Sequence, residues 1–191
     1  FSSKGFKQAD RKITGRTISK LFDFSQGGRI PILIDTTPCT YKFINGDNIL
    51  EGKSLEKWKS LSFVDITRYL KTRVDNSQLP PLKSTVIIHP TCSSEKMGLN
   101  SDLSALAAKC SQNPIIPVEA GCCGFAGDRG LKFPELTASA TKPEAAEIKK
   151  MDSNLRGYSS SRTCEIGMKS GTGNDFYSIA VLVRSYLNQD I

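Results

Sequence analysis

Six cysteines, at positions 39, 92, 110, 122, 123 and 164, hold most of the reactive chemistry of this sequence. Two of them are neighbours in Gly121-Cys122-Cys123-Gly124-Phe125-Ala126-Gly127-Asp128-Arg129-Gly130. In extended chain adjacent side chains point to opposite sides, so this pair does not readily grip one small ion, but it can reach two metals of one cluster. Glycine at 121, 124, 127 and 130 permits positive φ and close backbone approach, which would aim main-chain N–H groups at cluster sulfurs and adjust a reduction potential. The alternatives at this point are a buried thiol pair beside a turn, a disulfide between the neighbours, or thiol/disulfide redox catalysis at Cys122-Cys123. Catalysis of that kind needs an exposed thiolate of low pKa, for which Arg129 could supply the positive charge. Structural zinc sites usually bring cysteines as Cys-x-x-Cys pairs, and none exists here. A multi-iron cluster therefore fits the scattered spacing better than a non-redox zinc scaffold.

Three cysteine segments follow short apolar runs that read as strands. Ile30-Pro31-Ile32-Leu33-Ile34-Asp35 leads to Thr36-Thr37-Pro38-Cys39-Thr40, and Ser84-Thr85-Val86-Ile87-Ile88 leads to His89-Pro90-Thr91-Cys92. Pro114-Ile115-Ile116-Pro117-Val118-Glu119 enters the double-cysteine loop. Between the second and third runs, Ser101 caps a helix with Leu103, Leu106, Ala107 and Cys110 on one face, so Cys110 reads as a small buried hydrophobe. Strand, helix, strand is a βαβ crossover. The fold class expected is α/β: a parallel sheet flanked by helices in Rossmann-like layers, with cysteines at the strand C-terminal ends, where such proteins place their sites. His89, the only histidine, either holds a backbone carbonyl at the strand end or serves the site as ligand or hydrogen-bond donor to a sulfur.

The remaining pattern predicts a helix over 6–22, broken near Gly15, a stretch over 41–54 that is irregular or an edge hairpin around Asn45-Gly46, and a helix over 55–61 carrying Trp58. A second helix runs from Ser62 to Leu70. Thr141-Lys142-Pro143-Glu144 reads as a capping box opening a helix over 142–151. A polar approach over 158–164 leads to Cys164, and a last helix starts at 171–174. The 191 residues carry a net charge of +7 and are 38% apolar, enough for one core or one domain plus part of another. Six bases against one acid in residues 1–20 read as a solvated helix face, or as a docking site for an acidic partner or an anionic membrane surface. No basic motif interleaved with aromatics points to nucleic acid. No apolar run approaches the ~18–20 residues that span a bilayer, so a soluble chain in a reducing compartment is expected.

An offset of 125 residues carries Lys4-Gly5-Phe6-Lys7 onto Arg129-Gly130-Leu131-Lys132 and Cys39 onto Cys164. Residues 1–54 are then expected to be the C-terminal part of a truncated first repeat and residues 55–191 a complete second one, packed together. The opening Phe1 without an initiator methionine suits either a processed product or a piece of a longer protein; with the repeat, a Cys-Cys-Gly is expected just upstream.

At His89-Pro90-Thr91-Cys92, at the double-cysteine decapeptide and at Arg162-Thr163-Cys164-Glu165-Ile166-Gly167, the sequence resembles the cysteine-rich CCG domain. That family occurs in heterodisulfide reductase, in the iron-sulfur subunits of glycolate oxidase and anaerobic glycerol-3-phosphate dehydrogenase, and at the C-terminus of FAD-linked D-lactate dehydrogenases. The last group is the most similar, also through Ser2-Ser3-Lys4-Gly5-Phe6 and Pro38-Cys39-Thr40. The resemblance implies a [4Fe-4S] cluster on Cys92, Cys122, Cys123 and Cys164, with Cys39 belonging to the truncated repeat. It implies FAD in an upstream domain of the same polypeptide, oxidation of D-lactate or a similar 2-hydroxy acid there, and a quinone or cytochrome as acceptor. The chain would be cytoplasmic, at the inner face of the membrane if attached at all. Around the cluster, Gly121, Gly124, Gly127 and Gly130 would give N–H donors, and Arg129 with Lys132 would offset its charge. Gly167 and Lys42 stand where heterodisulfide reductase has a further cysteine, which leaves four thiolates, one cubane's complement, rather than the five of the disulfide-cleaving cluster.

Overall fold

The basic N-terminal stretch forms α1 (Lys7–Phe24), which runs through Gly15 without a break. A Cβ at Gly15 would lie 3.1 Å from the Ser54 hydroxyl, so the glycine admits a close neighbour rather than ending the helix. The computed structural model describes residues 5–151 and 154–190. Residues 1–4, and with them part of the Ser-Ser-Lys-Gly-Phe likeness, lie outside the described residues. The chain divides into two compact units.

The first unit takes in residues up to Ile34 together with Cys39–Asp65. Its elements after α1 are β1 (Ile32–Ile34), most of α2 (Thr37–Ile44), a 3-10 turn (Gly46–Asn48), α3 (Gly52–Lys59) and β2 (Phe63–Asp65). β1 and β2 pair in parallel, Ile32 opposite Phe63. The stretch over 41–54 is thus partly helical, neither irregular nor an edge hairpin. Residues 63–65, expected in a helix, form β2, because an existing strand edge offers their N–H and C=O groups partners that an isolated helical turn lacks. Trp58 donates its indole N–H to the Phe43 carbonyl at 2.6 Å, and Phe43 stacks on Phe63 with centroids 5.6 Å apart. Residues 55–65, which include most of α3 and all of β2 and are expected from sequence in the 55–191 repeat, fall in this first unit.

The second unit takes in Asp35–Pro38 and the chain from Ile66 onward. It contains α4 (Ile66–Val74), β3 (Leu82–Ile88), α5 (Cys92–Lys96), α6 (Asn100–Cys110) and β4 (Ser111–Ile115), then α7 (Arg129–Lys132) and α8 (Pro134–Ile148). β5 (Arg156–Ser159), α9 (Arg162–Thr172), β6 (Phe176–Ser178) and α10 (Ile179–Asn188) follow. The four strands are all parallel in the order β4-β3-β5-β6. Alternation along β3 sends Val86 and Ile88 into a core with Leu103, Leu106, Tyr158, Ile179, Leu182 and Tyr186. It sends Ile87 into a second core with Phe125, Ile148, Met168 and Phe176. Each such fully buried side chain stabilises the fold by about 1.5–3 kcal/mol. The fold is α/β with a parallel sheet flanked by helices, as the strand and helix periodicities predict.

Several boundaries differ from the sequence pattern; Ser101, expected as a cap, lies inside α6, which starts at Asn100. The strand placed at 114–119 occupies Ser111–Ile115 instead: Pro117 has no N–H to give a ladder, and the N–H groups of Val118 and Glu119 donate to the Glu147 carboxylate, both at 3.0 Å. The helix over 142–151 starts at Pro134, and Thr141, expected as its cap, donates its hydroxyl to Thr137 O at 2.8 Å. The last helix starts at Ile179, with Ser178 accepting from Ala180 N–H, because residues 176–178 are taken up as strand β6. The offset of 125 residues carries α1 onto α8, β1 onto β5 and the start of α2 onto the start of α9.

Candidate metal centre

After β3 the chain crosses to β4 on one side, and after β5 it crosses to β6 on the other. The adjacent C-terminal ends of β3 and β5 therefore form a switch point, the crevice where open parallel sheets bind ligands. β3 exits into His89 and, through Thr91 capping α5 with its hydroxyl accepting from Ser94 N–H at 3.0 Å, into Cys92. β5 exits into Ser161 and Cys164 on the first turn of α9. The loop after β4 brings in Cys122 and Cys123.

None of the six cysteines is in a disulfide, and four of them meet here as two pairs. Cys123 and Cys164 are buried, with their sulfurs 3.3 Å apart and sharing a hydrogen bond. His89 completes a group whose donor atoms all lie within 4.8 Å of one another. The Cys123 thiol is held at about 5, first by the hydrogen bond from Cys164, against burial, and then by His89 and the Phe125 N–H. Cys164 is pushed far up by the same hydrogen bond and by burial. The two sulfurs share one proton, and His89 and the Phe125 N–H favour the negative charge on Cys123. His89 Nδ1 lies 2.9 and 3.0 Å from the two Glu144 carboxylate oxygens. Burial pulls the imidazole down, but its interactions with Cys123 and Glu144 more than offset this and raise it to about 9.

Cys92 and Cys122, both exposed, form the outer pair. Burial and the neighbouring thiols of Cys123 and Cys92 push Cys122 up, while the Gly124 N–H pulls the other way, donating to the Cys122 sulfur at 3.4 Å. Both cysteines line a cleft of about 490 Å³ walled by Pro90, Ile116, Pro117 and Val118, with Glu95 and Lys96 at its margin. Neighbours in sequence thus belong to different pairs, and the Cys122-Cys123 disulfide considered from sequence is not formed.

The expected residues divide as follows. Cys92, Cys122, Cys123, Cys164 and His89 come together. Cys39 is exposed on α2 and belongs to the first unit. Gly124 has φ +70°, and a Cβ there would lie 2.7 Å from Ala140 Cβ and from Leu136 O, so only glycine lets the loop lie against α8. Gly130 gives the same closeness to the Phe125 ring, whereas a Cβ at Gly121 would make only an ordinary contact with Glu119 O at 3.8 Å and one at Gly127 would meet open space. Lys132 pairs with Asp128 at 3.2 Å and Arg129 is exposed; the cation acting on Cys123 is His89. His89 does not hold a backbone carbonyl with its ring. Cys110 is buried, and burial pushes it up to about 12, as suits a packing thiol. Glu144, expected in a capping box, is the carboxylate on His89, and Glu147 holds the loop. The only sequence signal for Glu144 is an acid on the apolar side of a helix with Thr137, Thr141, Ala145 and Ile148.

Four thiols with backbone N–H groups aimed at two of the sulfurs are the donor set of a [4Fe-4S] cluster in type and number. The 3.3 Å spacing of Cys123 and Cys164 belongs to two sulfurs sharing a proton, which a bound metal would have to displace. Comparison of the chain with protein-family models, with curated proteins and with solved structures finds no match.

Proposed function

We propose that the chain is an electron-transfer iron-sulfur module of a larger FAD-linked oxidoreductase, one that oxidises D-lactate or a similar 2-hydroxy acid and passes the electrons to a quinone or cytochrome. The observation that carries this reading is the convergence of Cys92, Cys122, Cys123 and Cys164 from three strand exits at the switch point. A [4Fe-4S] cluster bound there would accept and release one electron at a time. The chain's own residues would hold it through four sulfurs, with the Gly124 and Phe125 N–H groups donating to Cys122 and Cys123 and the Cys123-Cys164 side buried away from water. The constant offset relating α1, β1 and α2 to α8, β5 and α9 supports the two-repeat reading that accompanies it. Among the described residues no helix is long and apolar enough to cross a membrane, which suits a cytoplasmic module, attached peripherally if at all.

A single zinc ion is the second reading, favoured by the compact group of His89, Cys123 and Cys164, which suits one tetrahedral ion. Thiol catalysis is less well supported, since the thiolate is buried and the exposed Cys122 is shifted toward its neutral form. Anaerobic reconstitution with iron and sulfide, followed by metal analysis and EPR of the reduced chain, tests the proposal. About four irons and four sulfides per chain with a signal on reduction is the expected result, without lactate oxidation by this chain alone. Zinc binding with exclusion of iron and sulfide would sink it.

A further inference from the structure

His89 is completely buried and Glu144 is 2% exposed, yet they come from distant parts of the chain, the exit of β3 and the middle of α8. Both carboxylate oxygens lie within 3.0 Å of Nδ1. A carboxylate accepts, so Nδ1 carries a hydrogen and the ring is fixed in orientation. Nε2 is buried and makes no hydrogen bond in the metal-free chain, and the ring offers a nitrogen within 4.8 Å of the Cys123 and Cys164 sulfurs. Four thiols already match the four corners of a cubane, so the imidazole has no iron left to bind. Its remaining role toward the Cys123 sulfur is donation.

We propose that Glu144 and His89 form a fixed arm in which His89 donates Nε2–H to the Cys123 sulfur and raises the reduction potential of the iron-sulfur group held there, with Glu144 as the positioning residue. The proposal rests on the iron-sulfur reading above. Reduction adds one electron to a site already carrying thiolates. A donor to a ligand sulfur stabilises that added charge more than it stabilises the oxidised state, and hydrogen bonds to sulfur are a principal control of such potentials. Glu144 acts through the ring, as carboxylates behind functional histidines do.

The test is an EPR-monitored redox titration of the chain loaded with iron and sulfide. His89→Leu should retain its iron and sulfide while its reduced-to-oxidised ratio at fixed potential falls about tenfold, equivalent to ~59 mV for one electron. Glu144→Ala should shift the same way by less. The sign is diagnostic, since removing a buried negative charge would by itself raise the potential. Glu144→Gln, whose amide oxygen still accepts from Nδ1–H, should remain near the wild-type value. Pulsed EPR of chain labelled with nitrogen-15 at its one histidine should give the weak coupling of a hydrogen-bond donor. A directly bound nitrogen, loss of iron in His89→Leu, or an unchanged or higher potential in that variant each overturns the arm while leaving the iron-sulfur reading intact. Failure of the wild-type chain to take up iron and sulfide overturns both.

Discussion

The inner sulfurs, Cys123 and Cys164, and the outer ones, Cys92 and Cys122, differ in every property that governs thiol reactivity. Cys123 is stable as a thiolate near neutral pH because Cys164, His89 and a backbone N–H stabilise its charge, yet it is only 4% exposed. Cys92 and Cys122 are open to solvent, and the pKa of Cys122 is shifted upward. Ionisation and access are thus assigned to different atoms. A thiol-exchange catalyst needs both in one sulfur, whereas a metal centre needs converging sulfurs and a shielded interior. The division originates in the backbone, since consecutive residues of the double-cysteine loop face opposite ways.

Alkylation breaks this comparison most directly. In the metal-free reduced chain at neutral pH, Cys92 and Cys122 should react with iodoacetamide at least about 100-fold faster than Cys123 and Cys164, which corresponds to roughly 3 kcal/mol of local opening before attack. Peptide mass spectrometry reads all four positions at once. Loading with iron and sulfide should then protect the outer pair. A fast Cys123 would put thiol catalysis ahead of the metal readings.

The double-cysteine loop holds the two pairs apart, and a matched pair of glycines shows how. Gly124 and Gly127 have similar φ, +70° and +75°, but only at Gly124 does a Cβ meet backbone. Gly127→Ala should cost about 1 kcal/mol, the strain of a left-handed alanine. Gly124→Ala adds overlap with the Leu136 carbonyl and the Ala140 methyl, neither at the end of a flexible chain, and should cost about 3–5 kcal/mol. Urea unfolding of the two variants tests the difference, and equal costs would mean that the loop does not depend on contact with α8.

Much of this arrangement is legible in the sequence, and the illegible parts have physical causes. The run ending at Ile88 announces a strand by β-branching, and the spacing of Leu103, Leu106, Ala107 and Cys110 announces a buried helix face. β2, β5 and β6 carry three or four residues each, too few for a period to register, and they become strands only because a neighbouring edge satisfies their backbone. Glu144 in its Thr-Lys-Pro-Glu setting has the local pattern of a cap, and nothing in its immediate sequence reveals that β3 delivers a histidine to it. The sulfurs that meet are legible as a set because their types are rare. Their division into pairs is not, since it depends on which way each strand exit turns.

Protonation of the inner pair sharpens the comparison with the outer one through a smaller effect, the pH dependence of metal-free stability. His89 rises in the folded chain from 6.5 to about 9, so its contribution is complete below pH 6.5 and is lost as the pH rises through 9. Cys123 falls from 9.0 to about 5, so its contribution is complete above pH 9 and is lost as the pH falls through 5. Between pH 6.5 and 9 one gain replaces the other, because forming an imidazolium and a thiolate from two neutral groups takes up no net proton. Stability should therefore be flat there and drop by about 2 kcal/mol between pH 6.5 and 5, roughly 1.5 pH units at about 1.36 kcal/mol each. Cys123→Ser should abolish the acid-side drop, while Cys122→Ser, which alters only the outer pair, should retain it. Urea midpoints across this range decide the matter: a drop that survives in Cys123→Ser places the acid-sensitive group elsewhere in the fold.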